Sequence, residues 1–480
     1  MRQKFLGNLI FLILANLLVK PLWILGIDRY VQNQSGPILY GAYFAVFNFT
    51  YLFHIILDAG INNFNNREVS RDASFISTHS SAILNIKLLF SLIYVVFTCG
   101  LAYFTAFDKE QLSMLHWLIV NLILLNFVLY FRSNIAALQL FKVDSLLSVS
   151  DRLLAILFCA ILIFMHPFGP SLNIMHFIYA QTLALGITLL IAMGISMSRT
   201  KAFEYKWDVA VIKKMLLMSY PFAIIGILMT LYYRLDGVMI EQMLLDGKEQ
   251  AGIYAASYRL FDASNMIAYL FATLLLPMFS NMIFKKESVE ELTKTATYLL
   301  FAASALVAIL SIFFGDQLMP LLYQQASEEW IIIFQLLMVS FVAVSMTYVY
   351  GTLLTAGGHL KLFNILAFLG LILNFGLNLF LIPTYKALGA TWATFVTQFF
   401  IAILQIIFVM IKYKVRFSLG EISKLSIYTL TTITLTFLCA HYKIKLFASI
   451  SMISSAAVIL FFALKFIPLN SFSRLIKRES

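Results

Sequence analysis

Charge is scarce in this chain: Asp, Glu, Lys and Arg make up 12% of its 480 residues against 61% hydrophobic ones, and the mean hydropathy is +0.89. Soluble domains carry about twice that share of charge, so the composition excludes a soluble globular protein and leaves a polytopic membrane protein. Cysteine is also rare. Cys99, Cys159 and Cys439 lie far apart in apolar runs without C-x-x-C or Cys/His spacing, which excludes a disulfide framework and a cysteine-based metal site. No G-x-x-x-x-G-K-S/T occurs, so there is no built-in P-loop ATPase, and any energy must come from a gradient or from the fate of a cargo. Long polar loops are missing as well, none exceeding about 25 residues. That leaves no room for an extramembrane catalytic domain, and the outer loops hold no paired carboxylates or histidine set. An enzyme is not expected, and neither a catalytic residue nor a metal ligand is assigned.

What is abundant is apolar sequence of membrane-crossing length. A hydrocarbon core about 30 Å thick takes about 20 helical residues. The pattern predicts fourteen spans, at about 5–27, 38–58, 82–107, 114–136, 152–168, 172–197, 215–240, 252–283, 295–314, 330–355, 361–382, 388–411, 425–441 and 446–466. The opening M-R-Q-K and its apolar run lack a small-x-small cleavage site and are read as the first span rather than a signal peptide. Turn chemistry marks the breaks, as at Ser35-Gly36-Pro37, Gly357-Gly358 and Pro383-Thr384. With the N-terminus taken as cytoplasmic, 25 of the 34 Lys and Arg residues fall on that side, 6 on the other and 3 (Lys20, Arg234, Arg259) within spans. This is the bias of the positive-inside rule, and it places both termini in the cytoplasm. The net charge of +11 is thereby assigned to cytoplasmic loops facing membrane lipid, not to nucleic acid.

Two halves repeat. Tyr40 to Ala45 reads Y-G-A-Y-F-A and Ala251 to Ala256 reads A-G-I-Y-A-A, so G-x-Y-x-A recurs after an outer loop with six spans between. Lys20 and Arg234 are similarly placed in the preceding spans. Six is even, so the repeats run parallel, related by an axis along the membrane normal. The expected organisation is an N-terminal six-helix lobe (1–198), a basic cytoplasmic linker (199–214), a second six-helix lobe (215–411), and two extra helices with a basic tail (412–480).

Full charges inside spans are costly, about 2.5–3.5 kcal/mol each on insertion scales, and so face a polar cavity or one another. They cluster in Tyr232 to Asp262, which contains Arg234, Asp236, Arg259 and Asp262. Arg259 and Asp262 share a helix face and can neutralise each other. Arg234 and Asp236, two apart, point to opposite sides, so at least one needs a partner on another helix. Asp58 closes the second span before Ala59-Gly60, a place that suits a helix anchor as well as an ion carrier. Asn374 and Asn378 share a face suited to interhelical hydrogen bonding.

The segment D-G-V-M-I-E-Q-M-L-L-D-G-K-E-Q-A-G-I-Y-A-A-S-Y-R-L-F-D (Asp236 to Asp262), with L-L-L-P-M-F-S (Leu274 to Ser280), resembles the bacterial polysaccharide repeat-unit flippases of the multidrug, oligosaccharidyl-lipid and polysaccharide exporter superfamily. L-D-A-G-I-N-N-F-N-N-R-E-V-S-R (Leu57 to Arg71), A-G-G-H-L-K (Ala356 to Lys361) and N-L-F-L-I-P-T-Y-K-A-L-G-A-T-W-A-T (Asn378 to Thr394) are similar to the same family. Lys386 is a departure, standing where these flippases often show glycine. The resemblance implies two six-helix lobes around a central cavity, alternating access, and an undecaprenyl-pyrophosphate-linked oligosaccharide as cargo in the bacterial inner membrane, with other polysaccharide-assembly proteins as partners. On that reading Lys20, Arg234 and Arg259 bind the pyrophosphate, since Lys and Arg hold such anions through charge-assisted hydrogen bonds. Tyr233 and Tyr258, with Tyr232 and Tyr254 nearby, stack on sugars. Asp236, Asp262 and Asp58 are candidates to carry a coupling proton or sodium ion; no cofactor is expected. The alternatives are a cation-coupled drug or metabolite antiporter, a cell-wall precursor flippase and, least favoured, a membrane glycan polymerase or ligase.

Overall fold

The computed structural model describes residues 15–16, 18–71, 74–165, 173–198, 226–228 and 230–466. Among them every regular element is helical. Lipid dictates this, because a helix satisfies its own N–H and C=O groups and an open strand does not. A π-helical turn, Leu22–Asp28, leads into α1 (Arg29–Leu52) and the short α2 (Ile55–Asp58). There follow α3 (Ile61–Arg71), α4 (Ser74–Ala102), α5 (Lys109–Ala137), α6 (Phe141–Met165) and α7 (Ile174–Ser198). Residues 230–243 form α8. The remaining helices are α9 (Gly247–Phe284), α10 (Glu290–Leu322), α11 (Glu328–Ala356), α12 (Leu360–Tyr413), α13 (Leu419–His441) and α14 (Leu446–Ala463).

Eleven described helices are long and apolar enough to cross a membrane. The protein is a multi-pass helical membrane protein, as its composition requires. Two of the eleven are long enough for two crossings. Leu18–Asp58 runs 41 residues and Leu360–Tyr413 runs 54, and 54 residues extend about 80 Å against a core of about 30 Å. The breaks come where turn residues were expected. Gly36 (φ 71, ψ 170) interrupts the first, just before Pro37. Lys386 (φ 52, ψ −133) interrupts the second, three residues after Pro383. The expected seventh span, 215–240, lies partly outside the described residues.

Two boundaries differ from expectation. The stretch 59–81, read as a loop, is mostly helical: α3 fills much of it and α4 begins at Ser74. Its amphipathic sequence, I-N-N-F-N-N-R-E-V-S-R, is too polar for a hydropathy window to detect, yet it buries Ile61, Phe64 and Val69. Likewise α6 begins at Phe141, eleven residues before the expected 152, which moves Arg152 from a loop end to mid-helix.

The chain forms two compact units, Met1–Ala255 and Ala256–Ser480, the division falling within α9. In the first, Ile61, Phe64, Ile83, Ile86, Tyr130, Phe131, Ile135, Leu147 and Ala192 make one core. Asn65 fastens α3 to that core. Its amide donates to Ser133 Oγ at 2.7 Å and Asn134 Oδ1 at 2.6 Å, and Asn134 donates on to Ser196 Oγ at 3.3 Å. In the second unit, Tyr298 and Ala302 of α10 pack with Tyr428 of α13 and with Ala457 and Phe461 of α14. Ser418 and Glu421 form a capping box at the start of α13, and Lys294 on α10 reaches Glu290 at 3.1 Å and Glu421 at 3.0 Å.

Candidate substrate-binding site

In the first unit, α1 presents a stripe of residues spaced by helical turns. A Cβ on Gly237 of α8 would sit 2.6 Å from Asn48 Nδ2 and 2.8 Å from Phe44 Cε1, and one on Gly226 would sit 2.6 Å from Ile55 Cδ1. The absence of a side chain at Gly237 lets α8 approach α1 closely beside Arg234. Its guanidinium lies 5.6 Å from the Phe47 ring centroid and 5.2 Å from that of Tyr51, and it donates to Asn48 Oδ1 at 3.4 Å. Cation–π contacts run about 0.5–2 kcal/mol each, enough with the amide to offset most of an intramembrane arginine's cost.

Phe47 and Tyr51 also form one wall of a cavity. Asn121 of α5, Asp151 and Arg152 of α6, and Gln181 of α7 contribute its other polar groups. Its volume is about 30 Å³, room for one or two waters, so a sugar or pyrophosphate can enter only if the helices part. Asn121 Oδ1 is buried and has no hydrogen-bond partner among the described residues. Arg152 pairs with Asp151 at 3.7 Å and lies 5.1 Å from the Trp23 ring. Lys20 is half-buried in the helical turn that precedes Leu22–Asp28. The structure thus places Arg152 on the cavity wall and Arg234 on the aromatic rings of that wall. Arg152, Phe47, Tyr51, Asn48 and Gln181 were missed in the sequence. Polar residues such as Asn48 and Gln181 in apolar helices were the available signal; Arg152 was hidden by the misplaced start of α6.

The remaining sequence candidates divide between the units. Asp236, 3% exposed, accepts from the Tyr254 hydroxyl at 2.9 Å, while Arg234 turns to Asn48, the divergence that their spacing required. Tyr233 is half-buried and meets Tyr232 edge-on at 5.1 Å. Asp58 accepts from the Asn62 backbone N–H at 3.2 Å and pairs with Lys87 Nζ at 3.0 Å. Lys87, counted with the cytoplasmic charges, is fully buried; it also donates to Asn126 Oδ1 at 2.6 Å. In the second unit Arg259 and Asp262 are half-buried one turn apart on α9, and Tyr258 is buried against Phe261 at 5.7 Å. Asn378 donates to Asn374 at 3.1 Å. A larger bowl of about 600 Å³ in the first unit is lined by Ile38, Ala106 and residues 241–249, including Glu241, Asp246 and Glu249. Its carboxylates suit an anionic ligand poorly.

Cations held on aromatic rings beside a small polar cavity, inside a bundle of apolar helices, give this membrane protein a polar interior site. Residues 5–283 match the model of the polysaccharide biosynthesis protein family, more than half of the chain, and the chain belongs to that family. It is similar to the capsular polysaccharide biosynthesis protein CapF of Staphylococcus aureus, 24% identical over 259 residues, covering 53% of this chain and 64% of that one. The chain thus matches under two thirds of that relative's length. Among solved structures, the lipid II flippase MurJ in an inward closed conformation superposes with a TM-score of 0.73 at 12% identity, over 95% of this chain and 98% of that one. An inward-facing multidrug resistance MATE family transporter of the MOP superfamily gives 0.60 at 14% identity, over 84% and 94%. These likenesses show a shared fold. The polysaccharide family expected from the Asp236 to Asp262 segment is the one found.

Proposed function

We propose that this protein flips a polyprenyl-pyrophosphate-linked oligosaccharide repeat unit, undecaprenyl being the expected lipid, across the bacterial inner membrane for surface polysaccharide assembly. The observation that carries this reading is a cavity lined by Arg152, Phe47 and Tyr51, with Arg234 resting on those two rings. Guanidinium and ammonium groups match a pyrophosphate, and aromatic faces beside them match sugar rings. Arg152 on the cavity wall and Arg234 on its rings, against the one lining carboxylate of Asp151, favour an anionic cargo over a cationic drug. Arg259 and Tyr258 are assigned the same role on the other repeat. The head group enters from the cytoplasm, the lipid tail stays in the bilayer, and the two six-helix repeats rock to release the glycan outside, with both termini cytoplasmic and no covalent bond changed. Coupling to a proton or sodium ion belongs to the same proposal. Asp236 and Asp262 are its carboxylates; Asp58, neutralised by Lys87, is the structural one. Contacts with other polysaccharide-assembly proteins are expected.

Deleting the gene in its host and complementing with wild type, Arg234→Ala or Arg152→Ala tests this. Surface glycan lost on deletion, lipid-linked units accumulating on the cytoplasmic face, and failed rescue by both variants at normal membrane levels are the expected results. Unchanged surface glycan with raised drug sensitivity would overturn it in favour of an antiporter.

A further inference from the structure

The two G-x-Y-x-A motifs meet. A Cβ on Gly41 would lie 1.8 Å from the Lys248 carbonyl oxygen and 2.5 Å from the Gly252 nitrogen, and a Cβ on Gly252 would lie 2.0 Å from the Pro37 carbonyl oxygen. Neither glycine has a positive φ, unlike Gly36, Gly60 and Gly358. Backbone conformation therefore does not call for glycine here; close approach does, because backbone atoms at such distances cannot rotate aside. Across this seam Gln32 Nε2 donates to the Gly252 carbonyl at 3.1 Å.

Small residues also join helices that never separate, but three features set this contact apart. Seven residues inward from Gly41, about 10 Å along the helix, stands Asn48 with its Arg234 contact, so the seam lies between the candidate site and the Ser35-Gly36-Pro37 end of α1. Both partners have a backbone break beside them, Gly36 before Pro37 and the turn at 244–246 before Gly247. The contact joins equivalent positions of two sequence repeats, the parts that alternating access must displace from one another.

We propose that the Gly41–Gly252 seam is the outer gate of the carrier, closing the site by backbone contact and parting once per cycle. The proposal rests on the flippase reading for its orientation and for the existence of a cycle. Its consequence is an inverted substitution rule. Within a helix, alanine is favoured over glycine. Here its Cβ is excluded from the closed state and free in the parted one, so Gly→Ala shifts the population toward outward-open.

The test uses full-length protein with Cys99, Cys159 and Cys439 replaced by Ser and one cysteine at Thr50 on the cavity wall. Its labelling by a membrane-impermeant thiol reagent is measured from outside intact cells. Gly41→Ala and Gly252→Ala are expected to raise the rate at least about fivefold, because the added Cβ clashes with backbone in the closed state alone. Gly100→Ala, where an added Cβ meets nothing within 4 Å, is expected to leave it unchanged. Labelling unchanged in both seam variants, with or without a loss of thermal stability, would make the seam static packing and overturn the proposal. Should the variants not accumulate, cysteines at Ile38 and Leu245, both on the adjoining bowl, are joined by a cleavable bifunctional reagent. Surface glycan export is expected to stop on joining and return on cleavage, and export that continues while joined overturns the gate. Thiol labelling reads conformation whatever the cargo, so a gate that opens on schedule in a strain whose surface glycan is unaffected would sink the cargo reading alone.

Discussion

The two ends of the α1–α2 segment are built on opposite principles. At the Gly41 end contact is made by omitting side chains, and backbone meets backbone in the Lys248 to Gly252 turn of α9. At the Asp58 end a fully buried ammonium holds the chain: Lys87 bridges Asp58 and Asn126, and sits 5.8 Å from the Tyr130 ring. The difference lies in what separation would cost. Parting two glycine surfaces exposes little and leaves no charge behind, whereas parting Lys87 from Asp58 strands a charge in a low dielectric. The first suits a contact that opens, and the second a contact that stays shut.

The sharpest way to break this comparison is at the ion pair. Lys87→Ala or Asp58→Ala is expected to lower unfolding free energy by about 3–5 kcal/mol, because each leaves an uncompensated buried charge. The double variant Asp58→Leu/Lys87→Met should recover most of that loss. Thermal unfolding in detergent checks both, and single variants as stable as the parent would remove the lock. Next in size is Asn65→Ala, which frees the groups that fasten α3 and is expected to cost about 1–3 kcal/mol in the same measurement.

A smaller effect separates the glycines from one another. At Gly226 an added Cβ meets only the end of the Ile55 side chain, which can turn away. Gly226→Ala should change stability by less than about 1 kcal/mol and leave thiol labelling of the cavity as in the parent, unlike Gly41→Ala. The smallest effect belongs to an exposed pair. Partial desolvation pushes the Asp108 carboxyl up, but the Gln111 backbone N–H and the Lys248 ammonium outweigh it and hold it below the usual carboxylate range. A depressed carboxyl stabilises above its unfolded pKa of about 3.9 and loses that contribution as pH falls through the folded value. Melting followed down through pH 4 should therefore show under about 1 kcal/mol depending on Asp108, abolished in Asp108→Asn.

Much of the fold was legible in the sequence because hydropathy and turn chemistry act locally. Runs of about 20 apolar residues are helices in lipid whatever they pack against, and Gly36-Pro37, Gly357-Gly358 and Pro383 marked real breaks. The same locality explains the failures. The α3 segment is amphipathic rather than apolar, so its helix becomes recognisable only once Asn65 and Phe64 have a bundle to face. The start of α6 was misplaced because its first turns carry Lys142, Asp144 and Asp151, and Arg152 was lost with them.

The candidate site was legible only in part. Arg234 and Lys20 declared themselves as charges in hydrocarbon, and the divergence of Arg234 from Asp236 followed from two-residue spacing on a helix. Their surroundings did not follow. That Arg234 rests on Phe47 and Tyr51, 187 and 183 residues earlier in the chain, depends on the rotation of α8 against α1, where Gly237 admits a close approach.

By itself, then, the sequence determined the solvent this protein lives in and the helical character of its spans, because composition and periodicity are properties of neighbouring residues. Only the tertiary structure decided which charges are paired and which line a cavity, and that the repeated glycines touch. Those outcomes turn on helix register and distance across the bundle, where a single Cβ makes the difference between contact and clash.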